Sequence, residues 1–362
     1  MTDYTTPFDF DIINEETICS MNSIKESLKI YGPIILSLIF LFGLVGNILV
    51  VVTFSWYKKS KTMTDIFLLN MAIADILFIF TLPFWAVYSY KNEWIFQDFM
   101  CKLFRCIYAI NFNCSMLLLA CVGIDRYVAI VQVTKSFRLR NLALSHKGTL
   151  CLTVWITATC LSSITYIYSE SYEIKSSGHI VCEPRYPEGL SASNWKFAVI
   201  AVEIGVGFLI PFIVMLFCYA CIIKTLLQAK NSQRHKAIQV IVTVVIMFLI
   251  CQFPYNVVLL NKAISLLEEE KKNLTCPELE KIEYAHNITK LLAFFHCCLN
   301  PVIYAFIGVK FRKNIFKVMQ NMCFIRKFSL SRTRCSRFSS DMYHSRRTSE
   351  VSPSEGGSSF TV

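Results

Sequence analysis

The sequence predicts an all-α membrane protein, a seven-transmembrane helix bundle with a short amphipathic helix after the last span. Three observations lead there. Of the 362 residues, 54% are hydrophobic and only 17% charged, and the apolar residues form long runs instead of the stripes of a soluble helix. Seven of these runs suit a bilayer, whose hydrocarbon core of roughly 30 Å takes about 20 helical residues. The Lys and Arg residues gather on alternate connecting segments, a bias that decides which side faces the cytoplasm.

In chain order the runs are residues 31–57, 66–90, 99–132, 148–168, 195–225, 237–264 and 284–308. Residues 34–56 hold no charge at all, which argues against a soluble helical protein with buried hairpins. A β-barrel would need shorter segments with strict alternation. Lys58, Lys59 and Lys61 follow the first run; Lys135, Arg138 and Arg140 follow the third. Lys230, Arg234 and Lys236 follow the fifth, and eleven Lys and Arg lie from Lys310 onward. The N-terminus is therefore expected outside and the tail inside, in a multi-pass plasma-membrane protein. The first 30 residues lack a basic segment followed by an apolar one, so no cleavable signal peptide is expected and the first run serves for targeting. The net charge of +11 sits beside the membrane, where topology and anionic lipid account for it; no nucleic-acid partner is implied. Four regions follow: an acidic arm at 1–30, the bundle at 31–308, a membrane-surface helix at 309–322, and a Ser/Thr-rich disordered tail at 323–362.

Most of the sixteen cysteines fall inside the runs, where a thiol acts as a small hydrophobe. Cys19, Cys101, Cys182 and Cys276 lie at the outer edge, where an oxidising compartment favours bridges. Three connectivities are open. Pairing Cys101 with Cys182 and Cys19 with Cys276 would tie an outer loop to the third helix and the N-terminal arm to the last outer loop. The first 24 residues carry Asp3, Asp9, Asp11, Glu15 and Glu16 with no Lys or Arg. Such an arm attracts a basic partner and speeds its encounter, or is a solvated tail. Asn273-Leu274-Thr275 is a glycosylation sequon in an outer loop.

Ionisable groups inside a span are costly and mark function by default. Asp75 is the clearest, with Asn111, Ser115 and Asn300 as candidate oxygen partners for a structural sodium ion. A protonated, hydrogen-bonded structural role is equally open. Asp125-Arg126-Tyr127 ends the third run on the cytoplasmic side, where a local ion pair can change partners. Pro83, Pro211, Pro254 and Pro301 each remove a helical hydrogen bond in the second, fifth, sixth and seventh runs.

Asn47, Asp75, Arg126, Trp155, Pro211, Pro254 and the Asn300-Pro301-x-x-Tyr304 sequence together resemble the rhodopsin-like G-protein-coupled receptors. Thr81-Leu82-Pro83-Phe84-Trp85-Ala86, Asp125-Arg126-Tyr127-Val128-Ala129-Ile130-Val131 and His296-Cys297-Cys298-Leu299-Asn300-Pro301, with the four outer cysteines, are similar to the chemokine receptors. The resemblance covers about residues 19–325. It implies that a CC-type chemokine meets the acidic arm, including a sulfated Tyr4, and inserts its flexible N-terminus among Trp85, Tyr108, Glu203, Gln252 and Tyr255. It further implies an inhibitory-class heterotrimeric G protein, calcium release and cell migration. Arg126 would exchange Asp125 for the G protein, with Tyr219 and Tyr304 supporting the open form. Lys290 departs from the pattern, standing where these receptors usually carry a glutamate. Glu203 is then the remaining acidic candidate and a possible partner for Lys290.

Beyond the last run, residues 310–319 have basic and apolar faces and read as a membrane-surface helix. Cys323 is a palmitoylation candidate, with a free thiol as the alternative. Fourteen Ser and Thr lie between Ser329 and Thr361, suited to receptor kinases and then arrestin. Phe360-Thr361-Val362 could add a strand to a PDZ domain. A scavenging receptor without G-protein coupling is the alternative within the family, and the intact Asp-Arg-Tyr sequence argues against it. No inverted repeat suggests a transporter, and no H-E-x-x-H, P-loop or G-x-S-x-G pattern suggests an enzyme.

Overall fold

The computed structural model of the chain describes residues 22–57, 62–132, 141–174, 178–186, 192–228, 232–269 and 276–307. They form seven spans. The first is α1 (Asn22–Val52), which ends in a wider turn over Thr53–Tyr57. The second is built from α2 (Met63–Ile79) and α3 (Leu82–Lys91). The third is α4 (Gln97–Ile130) and the fourth α5 (Lys147–Tyr168). The fifth runs through α6 (Ala192–Ile204), a wide turn at Gly205–Leu209, and α7 (Ile210–Gln228). The sixth is α8 (Ser232–Glu269) and the seventh α9 (Cys276–Ile307). Among the described residues, six spans are long and apolar enough to cross a membrane. The seventh, 32 residues long, carries Glu278, Glu280, Lys281 and Glu283 at its outer end. Between the fourth and fifth spans, β1 (Ser169–Glu173) pairs antiparallel with β2 (Ile180–Pro184). The sequence reading holds no such hairpin, because β1 is mostly polar and lacks an alternating apolar face.

Local chemistry sets the ends and breaks of these helices. Thr62 and Asp65 form a reciprocal cap on α2: the Asp65 carboxylate accepts from the Thr62 N–H at 2.7 Å, and the Thr62 hydroxyl accepts from the Asp65 N–H at 3.3 Å. Pro83 has no N–H for the preceding turn, and the second span breaks at Phe80–Thr81. The Thr81 hydroxyl and backbone N–H both donate to the Phe78 carbonyl, at 2.7 and 2.8 Å, and close the break. The fifth span widens just before Pro211, whereas α8 and α9 continue as helices through Pro254 and Pro301.

The outward faces are apolar, as a lipid-facing bundle requires: Ile34, Leu38, Leu41, Phe42 and Val45 of the first span are exposed, as are Ile213, Leu216 and Phe217 of the fifth. Polar groups instead join span to span. Asn47 donates to the carbonyls of Gly43 at 2.9 Å and Cys297 at 2.8 Å, linking the first and seventh spans. A Cβ on Gly46 would come 2.7 Å from the Pro301 side chain, so only glycine permits this approach. Trp155 of the fourth span donates to Asn70 of the second at 3.1 Å. Asn113 of the third donates to Ser162 of the fourth at 3.0 Å.

Candidate functional site

On the cytoplasmic side the end of α4 brings Asp125 and Arg126 together. The Asp125 carboxylate accepts from Arg126 Nε at 3.1 Å and from its Nη2. Thr64 of α2 closes the arrangement: its hydroxyl donates to Asp125 at 2.8 Å and accepts from Arg126 Nη2 at 2.6 Å. The arginine is thus held against its own helix and latched to the second span. Tyr127 turns away and packs on Phe217 of the fifth span, ring centres 5.8 Å apart. Tyr219 is buried beside Gly123, and its hydroxyl has no partner among the described residues. Thr64 is absent from the sequence-predicted set; its place in the reciprocally capped first turn of α2, facing the end of α4, is a tertiary fact.

Asp75 is fully buried in mid-bundle. Asn111 donates to it at 2.9 Å, and His296 Nε2 of the seventh span lies 3.7 Å away. His296 continues the polar cluster through its Nδ1, 3.0 Å from Gln252 Nε2, while Asn256 donates to the Gln252 carbonyl at 2.9 Å. Asn111 Oδ1 and Ser115 Oγ are buried without hydrogen-bond partners among the described residues. A carboxylate, an amide oxygen and a hydroxyl are donor types that a small hard cation takes. The side chains of Asn300 and Tyr304 lie outside the described residues, although their backbone is helical.

The outer pocket is built by the second, third, sixth and seventh spans around Phe294. Trp85, buried, packs on Phe294 with ring centres 6.5 Å apart. Tyr108 lies 4.9 Å from the same ring and 6.4 Å from Tyr255, and Gln252 donates to the Ala293 carbonyl at 3.2 Å. Lys290, one turn above Phe294, holds its ammonium 4.9 Å from the Trp85 ring centre and 5.9 Å from that of Phe294. Three of the six predicted pocket residues, Trp85, Tyr108 and Lys290, therefore meet around the Phe294 ring, with Tyr255 against Tyr108 and Gln252 on the neighbouring carbonyl. The expected Glu203–Lys290 pair does not form. Glu203 instead accepts from the Thr165 hydroxyl of the fourth span at 2.8 Å, a neutral partner within reach across adjacent helices. Phe294 was legible as the residue four beyond Lys290, on the same helical face.

A disulfide joins Cys101 at the top of α4 to Cys182 in β2, with Cα atoms 5.6 Å apart. Arg105 reinforces it, donating to Ser169 Oγ at 2.9 Å and to the Cys182 carbonyl at 3.4 Å. Trp94 adds a third tie, its N–H donating to the Ile180 carbonyl at 2.8 Å. The third span and the segment that precedes it thus fix the hairpin. Asp3, Tyr4, Asp9, Asp11, Glu15, Glu16, Cys19, Asn273, Cys323, residues 309–322 and the tail lie outside the described residues, as does the side chain of Cys276.

The family described as the 7 transmembrane receptor (rhodopsin family) matches residues 46–304. The chain is 47% identical over 361 residues to the C-C chemokine receptor type 6 of Mus musculus, covering 99% of this chain and 97% of that protein. It is 48% identical to the Homo sapiens protein of the same description, over 98% and 93% of the two chains. A more distant relative is the C-C chemokine receptor type 7 of Homo sapiens, 42% identical over 85% of this chain and 79% of that one.

Proposed function

This chain belongs to the rhodopsin family of seven-transmembrane receptors and, within it, to the chemokine receptors, and from that premise we propose that it activates an inhibitory-class heterotrimeric G protein when an extracellular CC-type chemokine binds. Its place is the plasma membrane, and its family consists of receptors, not enzymes. The observation that carries the coupling step is the closed cytoplasmic cluster of Thr64, Asp125 and Arg126. An arginine held by its helical neighbour and by a second helix is restrained in this arrangement, and moving the second span away from α4 removes the part of that restraint that Thr64 supplies. A chemokine that binds the released arrangement more tightly shifts the population toward it.

The acidic arm, with Asp3, Tyr4, Asp9, Asp11, Glu15 and Glu16, attracts the basic body of the chemokine. Its flexible N-terminus then enters the pocket of Trp85, Tyr108, Gln252, Tyr255 and Lys290, with Glu203 at the wall. A second bridge between Cys19 and Cys276 ties the arm to the seventh span. Movement is carried by Pro254, Asn300, Pro301 and Tyr304, and Arg126 then meets the G protein with Tyr127 and Tyr219 beside it. A sodium ion would be held by Asp75, Asn111, Ser115 and Asn300, where it would supply a positive charge beside the buried carboxylate. Glycosylation at Asn273 and palmitoylation at Cys323 complete the reading. The tail serves receptor kinases and arrestin, its last residues a PDZ domain, and residues 309–322 rest on membrane lipid.

Cells expressing the chain are challenged with a panel of CC chemokines. The expected result is calcium release and migration, both abolished by pertussis toxin. Uptake of bound chemokine with neither response would overturn the coupling and assign a scavenging receptor.

A further inference from the structure

Among the described residues the outer pocket holds three donors without an acceptor, beside one unpartnered amide oxygen, Gln252 Oε1. Lys290 makes no ion pair or hydrogen bond among the described residues; its ammonium faces only the rings of Trp85 and Phe294. A ring face returns only part of the hydration that an ammonium gives up. Nearby acids are occupied or peripheral. Glu283 takes Lys262 at 2.7 Å and Asn287 at 3.2 Å, and Glu203 takes Thr165. Glu183 and Glu283 attract Lys290, while Arg105 and Lys262 repel it, and Glu183 is exposed on β2. Two further donors lack partners among the described residues: the indole N–H of Trp85, a residue only 5% exposed, and the buried hydroxyl of Tyr108. The three residues that carry these donors surround the ring of Phe294.

From this we infer that the pocket receives a carboxylate carried on an apolar or aromatic group, accepted by Lys290, Trp85 and Tyr108. The inference rests on the reading of this cavity as the ligand pocket. An indole nitrogen can only donate, an ammonium can only donate, and a carboxylate can only accept. A ligand amine placed here would meet the like charge of Lys290. The carboxylate belongs to the inserted segment of the protein ligand, as an aspartate or glutamate side chain flanked by apolar residues.

The test uses the purified full-length chain in lipid nanodiscs with two probes of one shape and opposite charge, indole-3-acetate and tryptamine. Indole-3-acetate in tenfold excess over its Kd is expected to raise the Tm by about 2 °C or more, and tryptamine is not. Lys290→Met should remove the shift, and Lys290→Glu should transfer it to tryptamine. Equal shifts from the two probes in the unaltered chain, or a shift that survives Lys290→Met, would overturn the inference; the first comparison needs no variant to fold. In cells, a chemokine that binds the receptor is remade with one Asp or one Lys in its flexible N-terminus. The Asp form should be at least tenfold more potent, and that preference should vanish in Lys290→Met. A preference for indole-3-acetate without one between the chemokine forms assigns the site to a free small acid. Charge preference with no chemokine response sinks the proposed receptor function and leaves this inference standing. Chemokine signalling with no charge preference does the reverse.

Discussion

Thr64 accepts from Arg126 and donates to Asp125, so one hydroxyl satisfies both members of an ion pair from a different helix. Hydrogen bonds to charged groups contribute roughly 1.5–3 kcal/mol each in net terms. Removing them from the closed arrangement alone shifts the equilibrium by a tenfold factor for each ~1.4 kcal/mol lost. Thr64→Val keeps the shape and deletes the hydroxyl. Basal nucleotide exchange in membranes from cells expressing this variant should rise severalfold at equal surface expression. Unchanged or lower basal exchange would show that the latch does not restrain the receptor. Lys290 is the other residue that decides behaviour at this scale, since its charge selects the ligand group the pocket admits.

At the scale of elements, the hairpin β1–β2 is held by the disulfide from Cys101 to Cys182, by Arg105 and by Trp94. The bridge spans 81 residues of sequence and fixes β2 to the top of α4. Removing it should cost about 2–4 kcal/mol of stability, read as a lower Tm of the detergent-solubilised chain and weaker chemokine binding. Cys101→Ala, Cys182→Ala and the double variant should behave alike, because each deletes the same interaction. A double variant markedly worse than either single one would mean that the two side chains contribute separately. The broken second span and the widened fifth show the same local logic, a proline removing one hydrogen bond and the chain rearranging to replace it.

Across the whole molecule, the spans were legible because a bilayer demands about 20 apolar residues per helix, and runs such as 34–56 meet that demand without a charge. The buried Asp75 and the cytoplasmic Asp125-Arg126 were legible for the opposite reason, as polar groups where polarity is costly. Thr64 and His296 were harder to see as partners. A threonine in a first helical turn and a histidine within an apolar run gain their roles only from the helix that packs opposite. The hairpin was hidden by its polar strand, and the Glu203–Thr165 contact depends on how the fourth and fifth spans rotate. We propose that the outer pocket, the buried polar core and the cytoplasmic ion pair belong to one bundle with two arrangements, so that a chemokine outside changes nucleotide exchange inside. The direct measurement is GTP exchange on a purified inhibitory-class heterotrimer with the full-length chain in nanodiscs, with and without a CC chemokine that binds it. Exchange accelerated about tenfold or more by the chemokine, and lost in Arg126→Ala with binding retained, is the predicted result. Saturating chemokine binding with no change in exchange would contradict it.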